Sequence, residues 1–156
     1  MVSAISDLVR SVEDPELPHV TIGDLGMVRS VEANGSTVVV TITPTYIGCP
    51  ATEQIRVDIE AAVRAVGLEP HVEFVMSPPW TTDWITSDGH RKLKAAGIAP
   101  PGRATPDPTV ALDLPVECPR CGSRRTRRNS DFGSTACKVL YNCQACSEPF
   151  EAFKAL

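Results

Sequence analysis

The chain has 156 residues, of which 42% are hydrophobic and 22% are charged, and this balance excludes disorder over its whole length. The formal net charge of −4 argues against a general nucleic-acid-binding surface, and no apolar run reaches the roughly 20 residues of a membrane span. Because the N-terminus lacks the basic and apolar regions of a secretory signal, we expect a cytoplasmic protein whose six cysteines bind metal or do chemistry rather than form disulfides.

The first predicted elements are a short helix and a β-hairpin. Apolar residues recur at helical spacing between Val2 and Val12, and Pro15 ends this helix because the residue before a proline avoids helical angles. Two segments rich in valine then flank Asn34-Gly35, a pair that favours a type I′ turn.

A second helix, a third strand and a last short helix follow. Residues 51–66 carry one apolar stripe at helical spacing, residues 71–76 alternate like a strand, and Ser87 or Asp88 is the predicted cap of a helix through Lys94. The order helix, hairpin, helix, strand, helix predicts an α+β domain in which helices pack on a small mixed sheet.

Charge and proline content divide the chain into three predicted parts. Residues 1–115 contain 8 Lys/Arg and 15 Asp/Glu, a balance of −7, whereas residues 116–156 contain 7 and 4, a balance of +3. The prolines at the boundary keep the backbone extended. We therefore predict a first domain over residues 1–98, a semi-rigid linker over 99–115 and a small C-terminal module over 116–156.

The C-terminal module contains two C-x-x-C pairs separated by twenty-one residues, which is a metal-site spacing. Four thiolates suit tetrahedral Zn²⁺, although a rubredoxin-like iron, an iron–sulfur site, disulfides and free thiols are the alternatives. Gly122 suits the positive φ of the first turn, and Ser147 at the equivalent place is a weaker match. The predicted ligands of a structural zinc in a zinc ribbon are Cys118, Cys121, Cys143 and Cys146.

Other residues of this module have open roles. Cys137 fits neither pair, and a small buried strand residue is the prediction for it. Four arginines between the pairs form either a phosphate-binding surface, a solvated face or a contact for an acidic partner. These are Arg124, Arg125, Arg127 and Arg128.

Cys49 is the cysteine with a possible chemical role in the first domain. It follows Gly48 and precedes Pro50 and the best predicted helix. A helix N-terminus lowers the pKa of a thiol, so we expect thiolate character here. A buried structural cysteine and a reactive or metal-binding cysteine remain open alternatives, because no nearby histidine is identified as a base.

Two acidic loops contain further candidate residues. Asp14, Glu16 and Asp24 are surface turn residues by default, but they approach Cys49 if the strands return to one sheet edge. Trp80 and Trp84 contribute most of the large aromatic area and either cap the core or bind a partner.

Several of these motifs together resemble a known family. Over about residues 3–77, DPE at residues 14–16, DLGMV at 24–28, the strand VVVTIT and GCP at 48–50 resemble the SufT-like family of metal–sulfur cluster assembly factors. The segments SPPWTTDWIT, KLKAAGIAPP, CPRCGS, FGSTACK and EPFEAFK extend the resemblance to the PaaD/PaaJ family of bacterial phenylacetyl-CoA epoxidase systems.

This resemblance implies an accessory role in aerobic phenylacetate degradation. The chain is then not an enzyme on its own, but assists the insertion of iron or an iron–sulfur cluster into the reductase or the oxygenase of the system. It implies a functional thiol at Cys49, with Asp14, Glu16 and Asp24 as neighbours. The sequence agrees in lacking paired E-x-x-H motifs and a nucleotide-binding glycine fingerprint.

Three other functions remain as alternatives. They are a noncatalytic scaffold of the epoxidase complex, a zinc-ribbon nucleic-acid binder suggested by the arginines, and, last, a thiol-dependent enzyme. The overall charge disfavours nucleic acid, no membrane partner is expected, and a homodimer is left open.

Overall fold

The computed structural model describes residues 2–102 and 115–154, and within them the predicted α+β fold class is confirmed. The chain divides into two compact units, one ending at Trp80 and the other beginning at Thr81. The elements are α1 (Val2–Arg10), β1 (Val28–Asn34), β2 (Thr37–Ile42), α2 (Ala51–Ala65), β3 (Glu69–Phe74), a 3₁₀ turn (Thr82–Trp84), α3 (Ser87–Ala95), β4 (Ile98–Ala99), β5 (Thr126–Ser130), β6 (Lys138–Cys143) and β7 (Pro149–Phe153).

The first unit contains a mixed three-stranded sheet in the order β1-β2-β3. β1 and β2 form an antiparallel hairpin, and β2 and β3 run parallel with α2 as the crossover between them. α2 buries Ile55, Ile59 and Val63 of the predicted stripe, because residues four apart share one helix face. The predicted stripe also includes Val66, but this residue follows the last turn of α2 as its C-cap and is exposed. α1 packs on β1 and α2, and α2 packs on β3.

Two predictions for these elements are wrong in their position along the sequence, by one residue for the hairpin loop and by two residues for the start of the third strand. The hairpin loop is Gly35-Ser36, because Asn34 pairs with Thr37, and only Gly35 has a positive φ, 62°. This pattern is typical of a type II′ turn, in which glycine occupies the first central position. The third strand begins two residues before its predicted start, because Glu69 N–H donates to Ser36 O at 2.8 Å.

The predicted cap of α3 is also corrected. Thr86 has extended angles, and its Oγ1 accepts a hydrogen bond from Gly89 N–H at 3.0 Å. Thr86 is therefore the N-cap instead of Ser87 or Asp88, since only the residue before the first helical turn can direct its side chain at those amides.

The second unit contains a four-stranded sheet in the order β4-β7-β6-β5. β5, β6 and β7 are antiparallel neighbours, and the two-residue β4 adds to β7 in parallel. In the hydrophobic core of the second unit, the rings of Tyr141 and Phe150 stack with their centroids 5.7 Å apart.

The division after Trp80 differs from the predicted boundary after residue 98, because α3 and β4 belong to the unit that contains the ribbon strands. Most of the predicted linker, residues 103–114, lies outside the described residues, so its extent remains a prediction. Among the described helices, none combines the length and the apolar composition that crossing a membrane requires.

Candidate functional site

Cys49 lies in the loop between β2 and α2, at the carboxyl end of β2. Gly48 precedes it with a φ of 79°, which requires glycine. The Cys49 N–H donates to Tyr46 O at 3.3 Å, and Thr52 N–H donates to Cys49 O at 3.1 Å. These bonds hold the half-buried thiol against the first turn of α2.

One of the two acidic loops lies beside Cys49, which the sequence leaves open as the alternative to a plain surface turn. Asp14 N–H donates to Val20 O at 2.8 Å, and Asp14 Oδ1 accepts a hydrogen bond from Glu16 N–H at 2.8 Å. This turn directs the Glu16 carboxylate to the thiol, with Glu16 Oε2 4.0 Å from Cys49 Sγ. The Glu16 carboxylate thus lies beside the Cys49 thiol although 33 residues separate them, and Asp14 is near enough for its charge to act on the same thiol.

Asp24 has a different position from the other two acids. Its buried Oδ2 accepts hydrogen bonds from the N–H and the hydroxyl of Thr21, both at 2.9 Å, and Thr21 Oγ1 accepts from Asp24 N–H at 3.0 Å. Asp24 therefore stabilises the turn that follows the acidic loop. Thr21 was not among the predicted residues, although the spacing T-x-x-D is the local signal for this reciprocal bonding.

The surroundings of Cys49 raise the pKa of its thiol. Burial is the largest cause, and the negative charges of Glu16 and Asp14 act in the same direction. The N–H groups of Ala51 and Thr52 lower the pKa, but by less. The expectation of a lowered pKa at the helix start is therefore wrong, and the thiol is protonated at neutral pH.

Two tight turns position the four cysteines of the second unit. In the first, Gly122 N–H donates to Cys118 O at 2.9 Å and Gly122 has a φ of 74°. In the second, Cys143 N–H donates to Glu148 O at 2.9 Å and Ser147 has a φ of 63°. Ser147, the weaker match by sequence, thus adopts the same left-handed region as Gly122 at the equivalent place.

The sulfur atoms of these four cysteines form one group. They all lie within 4.8 Å of one another, with 3.5 Å between Cys121 and Cys143 and 3.9 Å between Cys118 and Cys146. A tetrahedral Zn²⁺ with bonds of about 2.3 Å places its sulfurs about 3.8 Å apart, so these residues fit such an ion. The predicted four-cysteine metal-binding group is confirmed.

Hydrogen bonds and mutual repulsion distribute the protons of this group unevenly. The N–H groups of Cys146 and Ala145 lower the pKa of Cys143 to about 6. Although Glu148 N–H opposes the change, burial and the neighbouring cysteines raise the pKa of Cys146 to about 12. A divalent cation is what allows all four sulfurs to be thiolates together.

Cys137 is buried, as predicted, but it lies in the turn before β6 rather than in a strand. Its Sγ is 3.1 Å from Thr135 Oγ1, and it does not belong to the four-cysteine group.

The two tryptophans differ in their surroundings. Trp80 is buried in the first unit, and its indole N–H donates to Leu25 O at 2.8 Å, so this side chain is part of the core rather than a partner-binding surface. Trp84 is half-buried in the 3₁₀ turn of the second unit, and its contact with a partner remains a prediction.

The second unit also contains a buried ion pair that was not predicted. Lys138 Nζ lies 3.3 Å from Glu151 Oε2, and the side chain of Lys138 is 5% exposed. No local sequence pattern reveals a pair that forms across β6 and β7.

Comparison with known proteins identifies both parts of the chain. The family profile described as iron-sulfur cluster assembly protein matches residues 3–74, and the profile described as PaaD zinc beta ribbon domain matches residues 103–154. An Escherichia coli protein, provisionally named as the D component of 1,2-phenylacetyl-CoA epoxidase, is 47% identical over 150 residues, which cover 96% of this chain and 90% of that protein.

Two further matches concern the first part. A protein of Porphyromonas gingivalis named Fe-S protein maturation auxiliary factor is 30% identical over 91 residues, which cover 55% of this chain and 84% of that protein. The crystal structure of a domain of unknown function, DUF59, from Bacillus anthracis matches with a TM-score of 0.55 and 31% identity, covering 59% of this chain and 90% of that chain.

Proposed function

The chain belongs to the PaaD family of phenylacetyl-CoA epoxidase systems, and from this premise we propose that it is a maturation factor that assists insertion of iron or an iron–sulfur cluster into a partner. The clients are the other components of the same system, the reductase or the oxygenase. The observation that carries the proposal is the Glu16 carboxylate 4.0 Å from the Cys49 thiol, inside the part of the chain that matches the assembly family.

The chemistry of this site suits a transient carrier of ferrous iron. The carboxylates of Glu16 and Asp14 attract the cation, and Cys49 releases its proton to solvent as its sulfur bonds to the iron. A client thiolate then replaces this sulfur, Cys49 takes up a proton again, and no electron is transferred. Because the pKa of the free thiol is raised, a proton competes with the metal, which favours weak and reversible binding.

Zinc is the proposed resident metal, held by the four cysteines of the second unit. Bound there, Zn²⁺ links the two turns and supplies folding free energy to a small module. We assign it no step in the transfer.

An accessory rather than catalytic role is consistent with the thiol. A nucleophilic cysteine needs a lowered pKa, whereas burial and two carboxylates raise the pKa of Cys49. A cytoplasmic location is proposed on a separate ground, because none of the six cysteines, all of which the structure describes, forms a disulfide, and a reducing compartment keeps cysteines reduced.

The test is coexpression with the reductase and the oxygenase, followed by measurement of iron per client chain. Cys49→Ser removes the soft ligand, so client iron falls roughly fivefold or more, and Glu16→Gln gives an intermediate loss. Glu13→Gln is the matched control, because Glu13 is an exposed acid three residues away. Full client metallation with Cys49→Ser overturns the proposal and favours a scaffold that copurifies in stoichiometric amounts whatever residue is at position 49.

A further inference from the structure

β5 is one of the two edge strands of the four-stranded sheet, and its surroundings carry a concentrated positive charge. Residues 117–131 contain five arginines and two acidic residues, Glu117 and Asp131, which lie at the two ends of the segment. Arg124, Arg125 and Arg127 are exposed. Lys94 and, to a lesser extent, Arg124 lower the pKa of the Glu117 carboxyl, whereas Arg125 and Arg127 make no ion pair with any residue that the structure describes. Arg128, by contrast, is half-buried and pairs with Asp131 at 2.7 Å.

An exposed aromatic ring lies at the other end of β5. Phe132 is 76% exposed, which makes it one of the most exposed large apolar side chains of the described residues. Lys154 Nζ lies 5.4 Å from the centre of its ring. We call Arg124, Arg125, Arg127 and Phe132 the β5 patch.

The loop that presents Phe132 is anchored. The Glu151 carboxylate accepts hydrogen bonds from the N–H of Ser134 and from its hydroxyl, the latter at 3.0 Å, and pairs with the buried Lys138. Because these bonds order the backbone that follows Phe132, little backbone ordering is left to occur when a partner binds there.

Protection of a sheet edge explains part of this surface but not all of it. Positive side chains on an edge strand prevent pairing with other chains, and one or two suffice for that purpose. Uncompensated like charges repel one another, and an exposed aromatic ring works against protection. Arginine and aromatic residues are, however, the types enriched where protein interfaces concentrate their binding free energy.

We propose that the β5 patch docks an acidic segment of a partner protein of the system, with carboxylates on the guanidinium groups and Phe132 in an apolar depression of the partner. The planar guanidinium matches a carboxylate in two parallel hydrogen bonds. The inference rests on the proposed function only for the identity of the partner, and it does not involve Cys49.

The charge of the rest of the chain favours a protein partner over a nucleic acid. Residues 1–115 have a balance of −7, which repels an extended polyanion but not a short acidic segment. Four zinc-bound thiolates also reduce the balance of +3 in residues 116–156 to about +1. The strand has no aromatic residues between its arginines on which bases stack.

The test is calorimetric titration of the zinc-loaded full chain with the purified reductase and oxygenase at three salt concentrations. The triple variant Arg124→Ser, Arg125→Ser, Arg127→Ser weakens binding at least about tenfold at low salt and flattens its salt dependence. Phe132→Ala weakens binding by roughly tenfold at every salt concentration. The control is Arg64→Ser, Arg91→Ser, Lys92→Ser, which removes equal charge at exposed or half-buried sites elsewhere and leaves affinity unchanged.

Three outcomes overturn the inference. They are undiminished affinity of the triple variant, no binding of either protein by the wild type, and tighter binding of a 20-nucleotide single strand than of the reductase and the oxygenase. The variant Cys49→Ser separates the two proposals. We expect it to bind the reductase and the oxygenase like the wild type but to fail to raise their iron content. Loss of docking with normal iron transfer, or the reverse, therefore shows which proposal has failed.

Discussion

At the residue scale, opposing influences act on the sulfur of Cys49. Burial disfavours the thiolate, and Glu16 and Asp14 add two nearby negative charges. The N–H groups of Ala51 and Thr52 stabilise the thiolate but do not compensate. A cation bound beside Glu16 and Asp14 would cancel their charge and stabilise the thiolate, so under the proposed function the site would bind a metal ion in preference to an anionic or neutral electrophile.

The contribution of Glu16 to the pKa of Cys49 is directly testable. Glu16→Gln removes a negative charge 4.0 Å from the sulfur, so the pKa falls, more thiolate is present at pH 8, and alkylation by iodoacetamide is faster by roughly two- to fivefold. Mass spectrometry of the peptide that contains Cys49 gives the rate in zinc-loaded protein. The control Glu13→Gln reacts like the wild type. An unchanged rate in Glu16→Gln would mean that the charge of Glu16 does not contribute to the pKa of Cys49.

At the scale of helices and strands, the elements that the sequence predicted are those set by residues close together in the chain. The α2 stripe and the hairpin follow from side-chain periodicity and from a glycine that needs a positive φ. The register of the hairpin differed by one residue because Asn34 pairs with Thr37 in the ladder and leaves Gly35 first in the loop.

Contacts between distant elements were not predictable from the sequence. The Cys49 site requires a loop beside α1 to meet the start of α2, and β4 is too short to show a strand pattern before it pairs with β7. The four-cysteine group could be predicted because each C-x-x-C turn is a short sequence motif and the spacing between the two motifs is typical of a metal site. The ion pair between β6 and β7 has no such signal.

That ion pair is the element-scale prediction. Glu151→Gln leaves Lys138 with a buried, uncompensated charge, so the free energy of unfolding of the second unit falls by about 2–4 kcal/mol. The loss is smaller than for a fully buried pair, because a quarter of the Glu151 side chain is exposed. Lys138→Met with Glu151→Gln removes both charges and restores part of the loss. Denaturant unfolding of zinc-loaded protein measures both values. Equal stability of the single and double variants would indicate that the charge of Lys138 is well solvated.

At the scale of the whole molecule, the two units are stabilised differently. The first has an apolar core in which Val9, Ile42 and Ile59 are fully buried. In the second unit two of the metal ligands, Cys118 and Cys143, belong to the buried cluster that also contains Tyr141 and Phe150. Removal of the metal there unlinks the two cysteine turns and leaves unpaired sulfurs in the buried cluster, whereas the first unit has no such four-cysteine group among its described residues.

Metal removal should therefore unfold one unit and spare the other. We expect one zinc per chain by elemental analysis and no visible absorption, because Zn²⁺ is d¹⁰ and an iron site would be coloured. Excess chelator at pH 7 then abolishes the amide hydrogen-exchange protection of β5, β6 and β7, while β1, β2 and β3 keep theirs. Added zinc restores protection. Persistent protection of β5–β7 in metal-free protein would show that the core of the second unit folds without the ion and that the metal has another purpose.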